Sequence, residues 1–529
     1  MNQVKILVAG PGTGKTTKVK DIIRSSSDAK KILVLSFTNA TIDDLLKSFE
    51  ADGIGLCSDD CMTLHKYALR VNHLSDFHIL NPEEISRLEF YADKLSIDKG
   101  QLLNVLKCIT FDGMVESCAN FINNNPAYAN EKIGAIDLLV VDEYQDFNEK
   151  ERNFISAVSR YAKTVVVLGD DDQCIYGFKN ADSDGIIGLY NLAATEKIAH
   201  ENKCYRCPDD VVKHCNNLIG NNQNRISKTL QISGRSGGIV FEQKSDLDTT
   251  SQYVLEEIRK IQASGDKTTI MVLSPVYFAV GTLLEKLDSE KMSYVNWFSE
   301  KITLDLLKAF WMLRAVFGAK KVFNIMMLAY DQKNDKKRFA KFLIALKEVI
   351  QSGIQSPESV EKIIGCALLD KQVCDFISNE PTVELFSSVL PNGLYSKLIP
   401  LIEDVSSRER NLERLEPLIS PPTRFDQNKI NVMSIHKSKG LQADYVFILG
   451  LVDGILPSEV AGIDSIEAQR RVLFVGMSRA KNKLYLISTV LWDGKYVHKV
   501  DKSKFRYDYR RKKWCGQTSL FVNELKLKR

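Results

Sequence analysis

Long apolar runs are missing from this chain of 529 residues. A membrane helix needs about 18 uninterrupted apolar residues, and the best candidate, YVFILGLV from Tyr445, is stopped by Asp453. No membrane partner is expected. The N-terminus, MNQVKILVAGPG, carries neither a secretory nor a transit signature, so the sequence reads as cytoplasmic. The eleven cysteines also lack a pattern, which argues for reduced thiols and against a disulfide framework. The tightest cluster is Cys204, Cys207, His214 and Cys215. It offers zinc-type ligands, but its second pair is adjacent rather than separated by the usual loop, and buried thiols fit better. Repeats and low-complexity segments are absent, and 44% apolar with 26% charged residues exclude a largely disordered chain.

Net charge is small, +4, but it is unevenly placed. Lys499 to Arg529 holds eleven basic and three acidic residues, so that segment carries +8 and the rest of the chain −4. Phe505, Tyr507, Tyr509 and Trp514 interleave with the Arg510 to Lys513 block, a composition suited to phosphate contact and base stacking. A solvated tail or a protein-docking segment fits the same composition.

The length allows about three or four domains. Short β-rich runs recur, each ended by polar or glycine-rich residues: VKILVAG, KILVLSF, DLLVVDE, KTVVVLGD, TTIMVLS, INVMSIH, DYVFILG and KLYLIS. Helical stretches lie between them. Continuous apolar strands alternating with helices predict parallel sheets covered on both faces, with chemistry at the carboxyl ends of the strands. There are enough strands for two sheets. Two intervals, about Arg70 to Tyr128 and Gly318 to Arg424, read as helical insertions; NPEEI in the first has the form of a helix start.

The first strand runs into AGPGTGKTT, comprising Ala9, Gly10, Pro11, Gly12, Thr13, Gly14, Lys15, Thr16 and Thr17. This is a phosphate-binding loop: small residues let backbone N–H groups face phosphates at the positive end of a helix. Lys15 is placed to reach the β and γ phosphates, and Thr16 to hold Mg²⁺. VVDEYQDFN, Val140 to Asn148, crowds Asp142, Glu143 and Asp146 at the end of another strand. Carboxylates that close repel unless a positive charge sits among them. Beside the phosphate loop, Asp142 meets Mg²⁺ through water and Glu143 takes the proton of an attacking water. Gln145 and Asp146 are less determined by this logic.

A further strand opens onto GDDDQCIYGFKNAD, Gly169 to Asp182. Together, DEYQD and GDDDQxIYGF resemble the superfamily 1 helicases of the UvrD, PcrA and Rep family. Ordered matches extend from Val4 to Ser488. SFTNAT at Ser36 resembles motif Ia, TLHKYAL at Thr63 motif Ib, and CYRCPDDVVKHCNNLI at Cys204 motif IV. MSIHKSKGLQADYVFILGLVDGILP at Met433 resembles motif V, and EAQRRVLFVGMSRAKNKLYL at Glu467 motif VI. The resemblance implies an α/β fold of two RecA-like parallel-sheet motor domains with two helical insertion domains. Motor domain 1A occupies 1–69 and 131–200, interrupted by insertion 1B at 70–130; motor domain 2A occupies 201–317 and 425–492, interrupted by insertion 2B at 318–424. A basic tail follows at 493–529.

The resemblance also implies roles. Lys15, Asp142, Glu143, Gln173, Arg206 and Arg479 are the catalytic set, with Gln173 sensing the γ-phosphate and the two arginines acting as fingers. Tyr205 stacks on adenine and Gln442 bonds a ribose. Phe37, Thr38, Thr63, His65, Tyr176, Phe178, Lys179 and His436 contact single-stranded DNA. The implied activity is ATP-dependent, Mg²⁺-requiring movement from 3′ to 5′ along DNA, a helicase of DNA repair, recombination or phage defence. The alternative is a DNA-sensing regulatory ATPase controlling a partner nuclease. The sequence departs from the family pattern at Ala40, where lysine is common, at Phe178 and Lys179 for tryptophan and arginine, at Gln442 for glutamate, and at Ser274 to Val276, which replaces an arginine-containing motif. Only a few residues precede Val4, where the family carries an adenine-reading glutamine, and about forty follow Ser488, too few for a fused nuclease domain.

Overall fold

The computed structural model describes residues 3–26, 28–74, 76–264, 268–298, 308, 311–312, 314–315, 320–352, 361–364, 425–458 and 465–527. Most of the expected insertion at 318–424 therefore lies outside the described residues. The chain divides into two units, Met1–Asn72 with Val115–Ser299 and Phe425–Arg529, and His73–Met114 with Glu300–Arg424.

The first unit holds two sheets. In the first sheet β1 is Gln3–Val8, β2 Ile32–Ser36 and β3 Cys61–Thr63. In the second unit β4 is His78–Ile79 and β5 Cys108–Ile109. The first sheet resumes with β6 at Ile136–Val141, β7 at Ala162–Gly169 and β8 at Glu196–Lys197. Its order is β3-β2-β6-β7-β1-β8, and every pairing is parallel. Leu7, Val34, Leu138, Val140, Val166 and Leu168 are buried in its core, which explains why these strands read as unbroken apolar runs. Because β6, β7 and β1 are neighbours, the loops leaving their carboxyl ends are neighbours too.

In the second sheet β9 is Gly238–Asp246, β10 Ile270–Ser274, β11 Tyr294–Asn296, β12 Ile430–Ser434, β13 Ala443–Leu449, β14 Ala480–Trp492, β15 Phe505–Asp508 and β16 Lys513–Gly516. The order is β11-β12-β10-β13-β14-β16-β15, with β9 also paired to β14. The core strands are parallel, whereas β14, β16 and β15 pair antiparallel at the edge. The basic segment is thus folded into this domain. Phe505 packs near Trp492, and the following helix, Leu520–Glu524, buries Phe521 and Val522. Leu525 is buried in the same core. The hairpin tip stays exposed, with Tyr509 at 84%.

The second unit has its own core, in which Leu88, Tyr91 and Leu95 meet Trp311, Phe323 and Phe342. Helix Pro82–Leu95 begins with a capping box, Asn81 and Glu84 exchanging hydrogen bonds with each other's backbone, and Pro82 at its first position. Arg87 donates to the Met327 carbonyl at 2.6 Å and Tyr91 to that of Met326 at 2.7 Å. Two separate insertion domains were expected; the described residues of both instead share one core. The first insertion contributes only His73–Met114 to this unit, too short a piece to bury a sufficient core by itself. Helices Phe111–Asn124 and Pro126–Lys132, expected within the first insertion, fall mainly in the first unit.

Candidate functional site

β1 feeds the loop Ala9–Gly14 and helix Lys15–Ser25, whose first turn holds no acidic residue, leaving its N-terminal dipole free for an anion. Gly12 and Gly14 have φ of +68° and +91°, a region side chains disfavour. At Gly12 space matters as well, since a Cβ there would lie 2.5 Å from Cβ of Arg206. The loop is braced from outside: Gly10 N–H donates to Asn202 Oδ1 at 3.0 Å, and Tyr205 N–H to the Gly12 carbonyl at 2.8 Å. Thr13 Oγ1 donates to the Gly10 carbonyl, and Lys15 Nζ to that of Ala9 at 3.0 Å.

Asp142 directly follows β6, next to this loop, and is buried. Glu143 follows with φ of +54°, a strained conformation for a residue with a side chain. Gln145 Nε2 donates to Glu143 Oε2 at 2.6 Å. The positive charges that the crowded acids require are Lys15 and Lys439; the latter lies 2.6 Å from Asp146 and 4.0 Å from Glu143. Burial, then the Glu143 charge, push Asp142 up to about 7 against Lys15. Burial acts on Glu143 in the same sense, but Lys15, Lys439 and the Gln145 bond hold it below the usual carboxylate range. Burial likewise pushes Asp146 up to about 7 against the attraction of Lys439.

Gln173, past the end of β7, sits between the two sheet domains. Its Nε2 donates to Asp170 Oδ2 at 2.7 Å, and its Oε1 accepts from Arg479 Nη2 at 3.1 Å. Arg479 also donates to the Val475 and Leu441 carbonyls and to Ser478 Oγ. Burial, then the Arg206 charge, lower it to about 9, still cationic at neutral pH. Arg206 donates to the Ser478 carbonyl at 3.3 Å.

Gly10 to Thr17, Asp142, Glu143, Gln173, Tyr205, Arg206, Gln442 and Arg479 line one open cleft of about 550 Å³, a volume in the range of small-molecule sites. Among the residues expected around a nucleotide, Ala9 stands apart: it is buried, and its carbonyl holds Lys15. Thr16 and Asp142 present hard oxygen donors to the same cleft, which suits Mg²⁺, and a cation there would relieve the repulsion between Asp142 and Glu143. An adjoining hollow lies beyond the half-exposed Tyr205, lined by Lys18, His200, Glu201 and Lys203. Cys204, Cys207 and Cys215 are buried free thiols, with Cys207 donating to the Ser478 carbonyl at 3.4 Å.

The residues expected on DNA divide into an aromatic row and a pair of helix starts. Phe37 lies 5.0 Å from Tyr176 between ring centroids, Tyr176 5.8 Å from Phe178, and Phe178 5.6 Å from His436. Lys179 Nζ stands 5.2 Å from the Phe37 ring centroid. The row runs from the first sheet domain to the second, and Phe178 is 64% exposed. Thr38 and Thr63 cap helices Asn39–Ala51 and Leu64–Arg70, while His65 faces Glu151 at 3.1 Å. Sequence reasoning missed Lys439, Asp170, Asn202 and Lys228. Lys439 and Asp170 lie within the quoted HKSKG and GDDDQ segments, which is the signal that could have found them, whereas Asn202 and Lys228 gave none.

A family model described as an AAA domain matches residues 1–179, and one described as a UvrD-like helicase C-terminal domain matches residues 200–490, more than half of the chain. A "Probable DNA helicase II homolog" of Mycoplasma capricolum is 22% identical over 95% of this chain and 86% of its own length. The "ATP-dependent DNA helicase PcrA" of Staphylococcus epidermidis is 23% identical over 72% of this chain and 59% of its own, and the "DNA helicase II" of Rickettsia typhi 23% over 66% and 59%. The chain thus spans less than two thirds of two of these three relatives. Two parallel sheets that close one phosphate-loop cleft are the RecA-like arrangement, and with both halves matched the chain belongs to the UvrD-like helicases of superfamily 1, a family of ATP-hydrolysing DNA helicases.

Proposed function

We propose that this chain is an ATP-dependent DNA translocase and helicase that tracks single-stranded DNA from 3′ to 5′. The observation carrying this reading is that Arg206 and Arg479, from the second sheet domain, face the same cleft as Lys15, Asp142 and Glu143 from the first. A triphosphate there supplies negative charge that both domains want, so binding closes the cleft and hydrolysis releases it. The backbone N–H groups of the loop and Lys15 hold the phosphates, Glu143 takes the proton of the attacking water, and Gln173, Arg206 and Arg479 stabilise charge on the transferring group. Thr16 and Asp142 would hold Mg²⁺, which neutralises phosphate charge when bound. Tyr205 is placed to stack on the base and Gln442 to bond the ribose.

The aromatic row is the proposed track. Stacking on such rings is worth about 1 to 3 kcal/mol per base and tolerates any sequence. Because the row crosses between the domains, closure changes the spacing of the grips and moves the strand. DNA-stimulated ATP turnover, followed by strand displacement on a 3′-tailed duplex, tests the reading. Strong stimulation with displacement is expected. Stimulation without displacement restricts the chain to translocation or sensing, and turnover indifferent to DNA overturns the proposal.

A further inference from the structure

β7 is followed by three consecutive aspartates, Asp170, Asp171 and Asp172, all buried. They close on one ammonium group, Lys228 Nζ lying 3.0, 2.5 and 2.7 Å from them in turn. Arg225 adds a two-pronged contact to Asp172 at 2.9 and 2.6 Å, and Ile226 N–H donates to Asp171 at 2.8 Å. Three carboxylates close together resemble a metal site, but here two side-chain cations fill that role. Both cations come from a loop of the second sheet domain. Asn216 holds that loop to helix Asp209–Ile219 through both backbone groups of Leu230, and Arg471, on helix Ile466–Met477, donates to the Asn224 carbonyl at 2.6 Å.

The cluster continues into the cleft. Asp170 Oδ1 meets Lys228, while its Oδ2 accepts from the Gln173 amide. A carboxylate can only accept, so it fixes the NH₂ end of that amide toward itself and leaves the oxygen for Arg479. Burial works to raise the Asp170 carboxyl, yet the charges of Lys228 and Lys15 and the Gln173 bond hold it below the ordinary range. A charged acceptor is thereby maintained out of water, where its hold on the amide is strongest.

We propose that Lys228, assisted by Arg225, is a positioning residue for ATP hydrolysis: from the second sheet domain it fixes Asp170, and through Asp170 the Gln173 amide, so that the γ-phosphate sensor is aligned only while the two domains are engaged. This rests on the ATPase reading above. It differs from a purely stabilising ion cluster in one respect, that Lys228 acts on turnover through Gln173.

The test is a double-mutant cycle in the full chain, with steady-state ATP turnover on saturating single-stranded oligonucleotide and binding of fluorescent ADP as the control for an intact site. A misplacement of about 1 Å can cost about 100-fold in rate, so Lys228→Met should lower kcat by as much as about 100-fold, leaving KM for ATP and ADP affinity unchanged. Lys228→Arg should restore most of the loss. Gln173→Ala should lower kcat, and adding Lys228→Met to it should cost no more. Wild-type kcat in Lys228→Met, or losses that multiply in the double variant, would overturn the proposal. If Lys228→Met no longer binds ADP, Arg225→Gln replaces it in the cycle under the same two criteria. A wild-type chain that fails to hydrolyse ATP would strike the proposed function instead.

Discussion

Glu143 occupies a left-handed backbone position that a glycine would take without strain, and the structure holds it there with its carboxylate bonded to Gln145. Such strain is retained where side-chain direction matters. Under the proposed roles, Lys15→Ala removes the group that meets the phosphates and should abolish ATP binding, whereas Glu143→Gln should bind ATP but turn it over at least about 100-fold more slowly. Fluorescent-nucleotide titration beside a turnover assay separates the two, and retention of wild-type turnover in both variants would refute the assignment. A second residue-scale prediction concerns Glu84. Burial would raise its carboxyl, but the His78 ring, Asn81 N–H and the Trp311 indole hold it below its ordinary 4.5. A depressed acid stabilises the fold above that value, and the contribution is lost as pH falls through the folded-state value. Glu84→Ala should cost about 3 kcal/mol in the second unit, read as faster amide exchange in helix Pro82–Leu95. The local motif at Ala9 to Thr17 was legible because its chemistry is contiguous in sequence. Lys439 and Lys228 were not, because each acquires meaning from acids that lie far from it along the chain.

At the scale of elements, the apolar strands were legible because burial on both faces leaves an unbroken run. β9, GIVFEQKSD, was missed for the converse reason: its residues are only half-buried or exposed, so it lacks that run. The two-residue β8 and three-residue β3 are too short to carry any pattern. The basic C-terminal segment looked like a tail because charge masks its apolar anchors, Phe505 in one core and Phe521 and Leu525 in another. Deleting the segment would therefore strip part of a core. Substitution at the hairpin tip is the cleaner probe, because Arg510, Arg511 and Lys512 are exposed. If the tip contacts the strand, changing these three to glutamine should flatten the slope of log affinity against log salt by about 2. Equilibrium binding to a labelled oligonucleotide across a salt series would show it, and an unchanged slope would remove the tip from the DNA surface.

For the whole molecule, the division of the proposed catalytic groups between two sheets is the feature with the widest reach. A nucleotide that joins them should protect backbone amides in both, whereas one bound to the first sheet alone should protect only that sheet. With a non-hydrolysable ATP analogue, hydrogen exchange should slow around β1 and β6 and also around Ala443 to Arg479. In the double variant Arg206→Ala, Arg479→Ala the second effect should vanish while the first persists. Two motor sheets were legible in the sequence, because strand count and motif order specify them. A single core built from two insertions was not, because no local pattern in either piece names its counterpart.

That shared core has a bearing on how the chain is made. Glu84 and Tyr91 wait for partners 227 and 235 residues downstream. At about 5 to 20 residues per second of synthesis, the apolar side of helix Pro82–Leu95 stays uncovered on the ribosome for roughly 10 to 45 seconds. A chaperone reading nascent hydrophobic surface should still find this helix waiting for its partners after β8, the last strand of the first sheet, has been made.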